Sequence, residues 1–333
     1  NNSSIKSVLS YVIIGLSLVF SKKGACHLSM FAILFNQMMT MSLLIAFGFV
    51  LVRTKVINSE GARQISTILA MFVMPASMIA SFNANFDLAR LKLFGWAVVA
   101  ALATIIGRIF INQFIFKKDQ RIEKYAATFA NSGFFGIPIV IALFGHEGVF
   151  FLTPYIMCNN ILQWTYGRAL ISGDKKAMTP KKAFTNPGMI GAVIGLTIYI
   201  SQLPLPQFMW TAVSNVASLQ TALAMMIIGS YLANSDLMTI FKNKSAYLTV
   251  FMRLIFTPLV AILMIYLLPI NNFEVEIVLT IASVAPAAVN TAILGRLFGG
   301  DYEYGARIVV LTSIFSIFTI PFMMQFAEFI YTL

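Results

Sequence analysis

Polar residues in this chain come in short clusters, and the apolar runs between them are long enough to cross a bilayer. A hydrocarbon layer of roughly 30 Å takes about 20 apolar residues per helix. The pattern predicts about ten such segments, near 31–52, 64–82, 93–116, 125–144, 148–170, 187–202, 209–234, 246–269, 275–298 and 305–331. Two are interrupted at their middle by helix breakers, the fourth by Asn131-Ser-Gly-Phe-Phe-Gly-Ile-Pro138 and the ninth by Ala285-Pro286-Ala-Ala-Val-Asn290-Thr291. A bilayer core has no water to satisfy a broken hydrogen-bond ladder, so paired interruptions of this kind mark unwound backbone around a buried ligand site.

The two breaks lie roughly 150 residues apart, as do the starts of the fifth and tenth segments, which reads as a duplicated unit of five helices. Five is odd, so tandem copies cross the membrane with opposite orientation and form an inverted repeat whose broken helices meet near the midplane. The expected division is an N-terminal extension over 1–30, a first five-helix repeat over 31–172, a cytoplasmic linker over 173–186 and a second repeat over 187–333. Within the extension, Val8–Phe20 is too short to span; it resembles a signal-type or interfacial helix, although Lys22 and Lys23 directly after it do not fit a signal.

Composition agrees with a bilayer. The chain is 59% hydrophobic and 11% charged, against roughly 25% charged residues in soluble domains, and its mean hydropathy is +0.85. The net charge of +11 does not point to nucleic acid, because the basic residues sit in the short connections. Odd-numbered connections hold clusters such as Arg53, Lys55 and Arg63, or Lys117, Lys118, Arg121 and Lys124, whereas the even-numbered ones hold only Arg90 and Lys92. Retention of positive residues in the cytoplasm then places both ends of the ten-helix unit outside, in a multi-pass plasma (bacterial inner) membrane protein. A reporter fused after Leu333 is expected to be external; a cytoplasmic signal would overturn this orientation.

The chemistry-bearing residues are few. Cys26, Cys158, His27 and His146 supply no disulfide framework or metal-ligand spacing. The acids Asp87, Glu123, Glu274, Glu276, Asp301, Glu303 and Glu328 are dispersed near helix ends, which argues against a membrane-embedded enzyme and leaves no evident carboxylate proton relay. His146 with Glu147 is expected to cap the turn between segments four and five. Arg108 and Arg253 fall well inside segments. From about two turns below the cytoplasmic ends, their long side chains are expected to snorkel to the headgroups.

The breaks themselves carry the candidate site. An interrupted helix exposes N–H groups at the start of its second half, and these together carry roughly half a positive charge. Such an end holds an anion without a buried Lys or Arg. Pro138 and Pro286 cannot donate to the ladder, Gly133 and Gly136 allow close approach of a ligand to the backbone, and the Asn131 and Asn290 amides both donate and accept. Ser77 and Ser81, just beyond Pro75, are further candidates, with packing contacts as their alternative role. The competing reading of the whole set is a structural kink whose amides are satisfied internally.

Asn131-x-Gly-x-x-Gly-Ile-Pro138 followed by Leu143-Phe-Gly145 and Gly148, the Ala285-Pro286 to Asn290 segment, and Leu311-Thr-Ser-Ile-Phe-Ser316 ending at Pro321 together resemble the auxin efflux carrier family over about Met30 to Leu333. That family includes the plant PIN-type carriers and bacterial dicarboxylate permeases. The resemblance implies an all-α membrane protein of ten transmembrane helices in two inverted five-helix repeats, with helices 4 and 9 broken and crossing at their prolines. It also implies an elevator-type movement of a transport domain against a scaffold, and a homodimer. Aligning Trp164 with the tryptophan of the PIN carriers puts Asn160 at their glutamine and makes it a candidate substrate ligand; the alternative role of Asn160 and the neighbouring amides Asn159 and Gln163 is to tie helices together. The long hydrophilic loop of the plant members is missing, which points to the compact bacterial malate/malonate permease type. The expected function is secondary transport of small organic anions such as malate, malonate or auxin-like acids, with membrane lipids and a second copy as partners and no organic cofactor. A sodium-coupled symporter of the bile-acid type stands as the alternative, with a non-transporting receptor behind it. Sodium or proton coupling stays open.

Overall fold

The computed structural model describes residues 24–174, 181, 184–234, 243–298 and 301–333. Residues 1–23 of the expected extension and 175–180 and 182–183 of the expected linker lie outside that set. The described residues are helical, with no strand among them. In chain order the helices are α1 (Gly24–Arg53), α2 (Ser59–Ser81), α3 (Leu88–Ile115), α4 (Arg121–Thr128), α5 (Ser132–Ser172), α6 (Pro187–Ser201), α7 (Gln207–Ala233), α8 (Lys244–Tyr266), α9 (Phe273–Val284), α10 (Asn290–Leu297) and α11 (Tyr302–Tyr331).

Their starts follow from local chemistry. Asn58, Asp87, Asn186, Asn243, Asn272 and Asp301 each accept a backbone N–H of the first turn of α2, α3, α6, α8, α9 and α11. A side-chain acceptor there satisfies a donor that the helix cannot.

Among the described residues seven helices are long and apolar enough to cross a membrane: α2, α3, α5, α7 and α8, the Met30–Arg53 part of α1 and the Glu303–Tyr331 part of α11. The difference from ten segments lies in three stretches. Expected segments four and five fall in the single element α5, yet they are two helical arms: Gly145, at φ 68° and ψ −169°, is not helical, and the chain turns back there so far that Asn159 reaches the Ala130 carbonyl (2.8 Å). Only a residue without Cβ takes that conformation at little cost. Expected segment nine is divided into α9 and α10, each too short to cross alone, and α6 is a shorter apolar helix. At the bend, Glu147 reaches Arg90 at 3.6 Å.

The helices pack along two sets, joined where α11 and α5 lie against α1 and α5 lies against α2. α1 lies along α7, and α2 packs on α6 and α7; α5 packs on α3 and α9, while α11 covers α9 and α10. In the first set the backbones of α1 and α7 touch, and a Cβ built on Gly48 would lie 2.3 Å from the Met226 carbonyl oxygen. Small residues that let backbones approach in this way are a recurring basis of helix association in lipid. At the end of the bundle that carries residues 82–90 and 199, Phe82, Phe94 and Tyr199 pack around Phe150 with ring centroids 5.0–5.2 Å away. The Arg90 guanidinium lies 4.7 Å from the Phe150 ring centre.

Candidate functional site at a backbone crossover

The chain leaves helical geometry between α4 and α5 and again between α9 and α10, and the two unwound stretches pair with each other. The Asn131 N–H donates to the Pro286 carbonyl (2.8 Å) and the Ala288 N–H to the Phe129 carbonyl (3.0 Å). This forms one antiparallel bridge between Ala130 and Ala287. The exchange solves part of the problem that breaking a helix in lipid creates, since each stretch supplies a donor and an acceptor that the other lacks.

Side chains from other helices satisfy the rest. Asn159 Nδ2 donates to the Ala130 carbonyl (2.8 Å), and Thr312 Oγ1 accepts the Ala287 N–H (3.1 Å). Pro138 has no N–H for the ladder, and the Gly133 carbonyl one turn earlier accepts from Gln220 Nε2 (3.3 Å) on α7. Gln37 Nε2 on α1 reaches the Pro138 carbonyl (3.3 Å).

Both buried arginines work here, which corrects the snorkelling expectation. Arg108 and Arg253 are 1% and 0% exposed. Arg253 Nε and Nη2 donate to the Ala285 carbonyl (2.9 and 2.8 Å) and Nη2 also to that of Ser283 (2.6 Å). Arg253 Nη1 reaches the carbonyls of Thr128 (3.2 Å) and Ala127 (3.5 Å). Arg108 donates to the Tyr155 hydroxyl (2.6 Å) and to the same Ser283 carbonyl (3.1 Å). Depth along the helix alone suggested a reach to the headgroups. Unpaired carbonyls at the ends of α4 and α9 are closer acceptors, and they carry the negative end of each helix dipole.

Beside the crossover is a cavity of about 130 Å³ lined by residues of α2, α5, α6, α10 and the two unwound stretches. Its polar wall is made of amides and hydroxyls, namely Asn131, Ser132, Asn159, Asn160, Gln163, Asn186, Asn290 and Ser66, and none of its lining residues is ionisable. Gln163 Oε1 accepts from both the Tyr125 hydroxyl and Asn290 Nδ2, each at 2.8 Å. Three buried polar atoms at the wall have no partner: Asn131 Nδ2, Ser132 Oγ and Asn159 Oδ1. Unpaired buried polar groups are costly and call for a ligand or water. The N–H groups of Ser132, Gly133 and Phe134 precede the first backbone bond of α5, which Phe135 makes to the Asn131 carbonyl. The positive end of that helix therefore borders the cavity.

Of the residues expected from sequence, Asn131, Gly133, Asn160 and Asn290 line the cavity. Pro286 belongs to the crossover through its carbonyl. Gly136 and Pro138 lie in α5 just beyond the lining residues, and Ser77 sits in α2 past Met74, buried and outside the cavity wall. Ser81 is spent on the Met78 carbonyl (2.6 Å). The arginines' role was missed, yet a signal existed. Arg108 and Arg253 are lone cations of the third segment of each half, spaced much as the breaks are.

Residues 33–182 and 175–324 match a family described as membrane transport protein. An uncharacterized transporter of Methanocaldococcus jannaschii is 24% identical over 281 residues, which are 80% of this chain and 89% of that protein.

Proposed function

Because this chain belongs to the membrane transport protein family, that of the auxin efflux carriers, we propose that it is a secondary transporter of small carboxylates working by alternating access. The observation that carries the reading is the cavity at the crossover, where unpaired amide and hydroxyl groups meet the positive end of α5 and no lining residue bears a charge. A helix N-terminus with neutral donors holds an anion firmly enough to be selected and loosely enough to be released, since no opposite full charge must be separated at each turnover. A volume of about 130 Å³ is well below the roughly 300–1,000 Å³ of sites for drug-sized ligands. It suits malonate or malate better than an indole acid.

The reading extends to the whole molecule as ten crossings in two inverted repeats, with α4 and the start of α5 as one broken helix and α9 with α10 as the other. α1, α2, α6 and α7 act as the scaffold of a homodimer, with α2 and α6 lending part of the cavity wall, and the remaining helices carry the crossover. With the basic connections inside, the cavity lies in the cytoplasmic half and the rings around Phe150 close the outer half. A monoanion leaving an inside-negative cell gains about 2.3 kcal/mol per 100 mV, so efflux needs no coupling ion.

The test is uptake of labelled malonate, malate and an indole carboxylate into proteoliposomes under an imposed potential. Transport of one acid is expected, reduced at least about tenfold in Asn131→Ala/Asn290→Ala, the equivalent of about 1.4 kcal/mol. Folded wild-type protein that moves none of these acids under either polarity would overturn the carboxylate reading.

A further inference from the structure

Where a membrane helix unwinds, its free carbonyls and the negative ends of the half-helices form a ready site for a small cation, and sodium takes that place in many carriers with broken helices. In this protein α4 ends at Thr128 and α9 at Val284, so the two negative ends converge on the crossover. The carbonyls of Ala127, Thr128, Ser283 and Ala285 all point to one group, the Arg253 guanidinium. The group is fully buried, and neither it nor Arg108 makes an ion pair among the described residues. An isolated buried charge is prohibitive unless its surroundings compensate it. Here four carbonyls, each at the end of a helix dipole, provide that compensation.

We propose that Arg253 is a tethered cation filling the carbonyl cage of the crossover, a positioning residue that does for this carrier what a bound sodium ion does elsewhere. This rests on the transporter reading and deepens it by assigning the coupling chemistry. The cage keeps its positive charge through the whole cycle, because guanidinium does not deprotonate in proteins. The second arginine fits the same scheme. Arg108 shares the Ser283 carbonyl with Arg253 and ties it to Tyr155 on α5, so the α9 end is held from two helices. Two consequences follow: the intact protein gains nothing specific from sodium, and a protein without the side chain has a vacant cage that accepts a free cation of matching shape.

The experiment compares thermal unfolding midpoints of purified wild type, Arg253→Ala and Arg253→Lys in choline, sodium and guanidinium chlorides at equal millimolar ionic strength. The wild-type midpoint is expected to be the same in sodium and choline. Arg253→Ala is expected to unfold several degrees lower in choline and to recover at least half of that loss in guanidinium, whose planar donors fit the same carbonyls. A residue important only for packing would show no such cation-specific recovery. Arg253→Lys, which keeps the charge with fewer donors, should fall between the two and keeps the test informative if the alanine protein does not fold. A wild-type midpoint raised by sodium over choline, or an alanine variant indifferent to guanidinium, would overturn the proposal. Malonate uptake by wild-type proteoliposomes in choline supplies a separate arm. Uptake there that equals uptake in sodium supports the proposal, and uptake that requires sodium defeats it. Absence of uptake in both salts counts against the carboxylate reading, while the unfolding comparison still decides the role of Arg253.

Discussion

Replacing Gln163 by leucine is expected to abolish carboxylate uptake and to loosen the site, whereas Gln163→Glu is expected to abolish uptake with a smaller loss of stability. Gln163 is 2% exposed. Its Oε1 is the shared acceptor for the Tyr125 hydroxyl on α4 and the Asn290 amide on α10, so one side chain of α5 joins both broken helices at the cavity wall. Leucine has similar bulk and no acceptor, and it strands the buried Tyr125 hydroxyl and the half-buried Asn290 amide. A stranded buried donor costs about 1–3 kcal/mol, and the half-buried amide, which water reaches, adds less than that. Glutamate retains the acceptor geometry but adds a negative charge where the anionic substrate must sit. Uptake assays paired with thermal unfolding separate the effects. If Gln163→Leu transports at more than a tenth of the wild-type rate, the amide is not part of the site. If Gln163→Glu is as unstable as Gln163→Leu, the shared acceptor is not what holds the helices.

How much of this was legible in the sequence depends on whether the determinants are local. The interruptions at Asn131–Pro138 and Ala285–Thr291 could be read directly, because proline and glycine in an apolar run disturb the backbone wherever the helix is placed. The helix starts behind Asn58, Asp87 and Asn272 are set just as locally, by a side chain acting on the N–H groups next to it, but the expected segments followed hydropathy alone and began later. Asn131 and Asn290 were identified as paired residues but not as neighbours of Gln163, a contact fixed only when α5 and α10 pack. Ser77 was chosen for lying beyond Pro75, yet the cavity wall takes Ser66, Ala70 and Met74 of α2 and stops short of it, and sequence spacing alone does not say how far along a helix a cavity reaches. Arg108 and Arg253 were misread because their depth was judged against the headgroups, while their acceptors belong to chain remote in sequence. The counts of crossing helices differ because the two arms of α5, turned back on each other at Gly145, make a single element, and because α6, α9 and α10 are each short by length and hydropathy.

Gly229→Ala is expected to destabilise the protein by about 1–3 kcal/mol, the usual range for overpacking, and to sit at the upper end of it. A Cβ at this position would collide with the Ile45 carbonyl oxygen and the Phe49 backbone nitrogen of α1. A flexible side chain would swing aside, but backbone atoms in a helix move only with the helix, so α1 and α7 must separate along their contact. Lipid offers no hydrophobic gain on reassociation, and close van der Waals packing is what holds the pair together. The matched control is Gly95→Ala in α3, where nothing lies within 4 Å of the added methyl group. There the substitution is expected to be neutral or to stabilise by up to about 1 kcal/mol through helix propensity. Denaturant unfolding of the two variants in the same detergent gives the comparison. Equal stability of the two would mean that α1 and α7 are not in backbone contact, and with that the rigid scaffold against which the crossover is proposed to move would lose its physical basis. A large loss confined to Gly229→Ala would show that backbone contact holds α1 to α7, apart from the helices that carry the crossover, as a carrier needs when one part must hold still while the other travels.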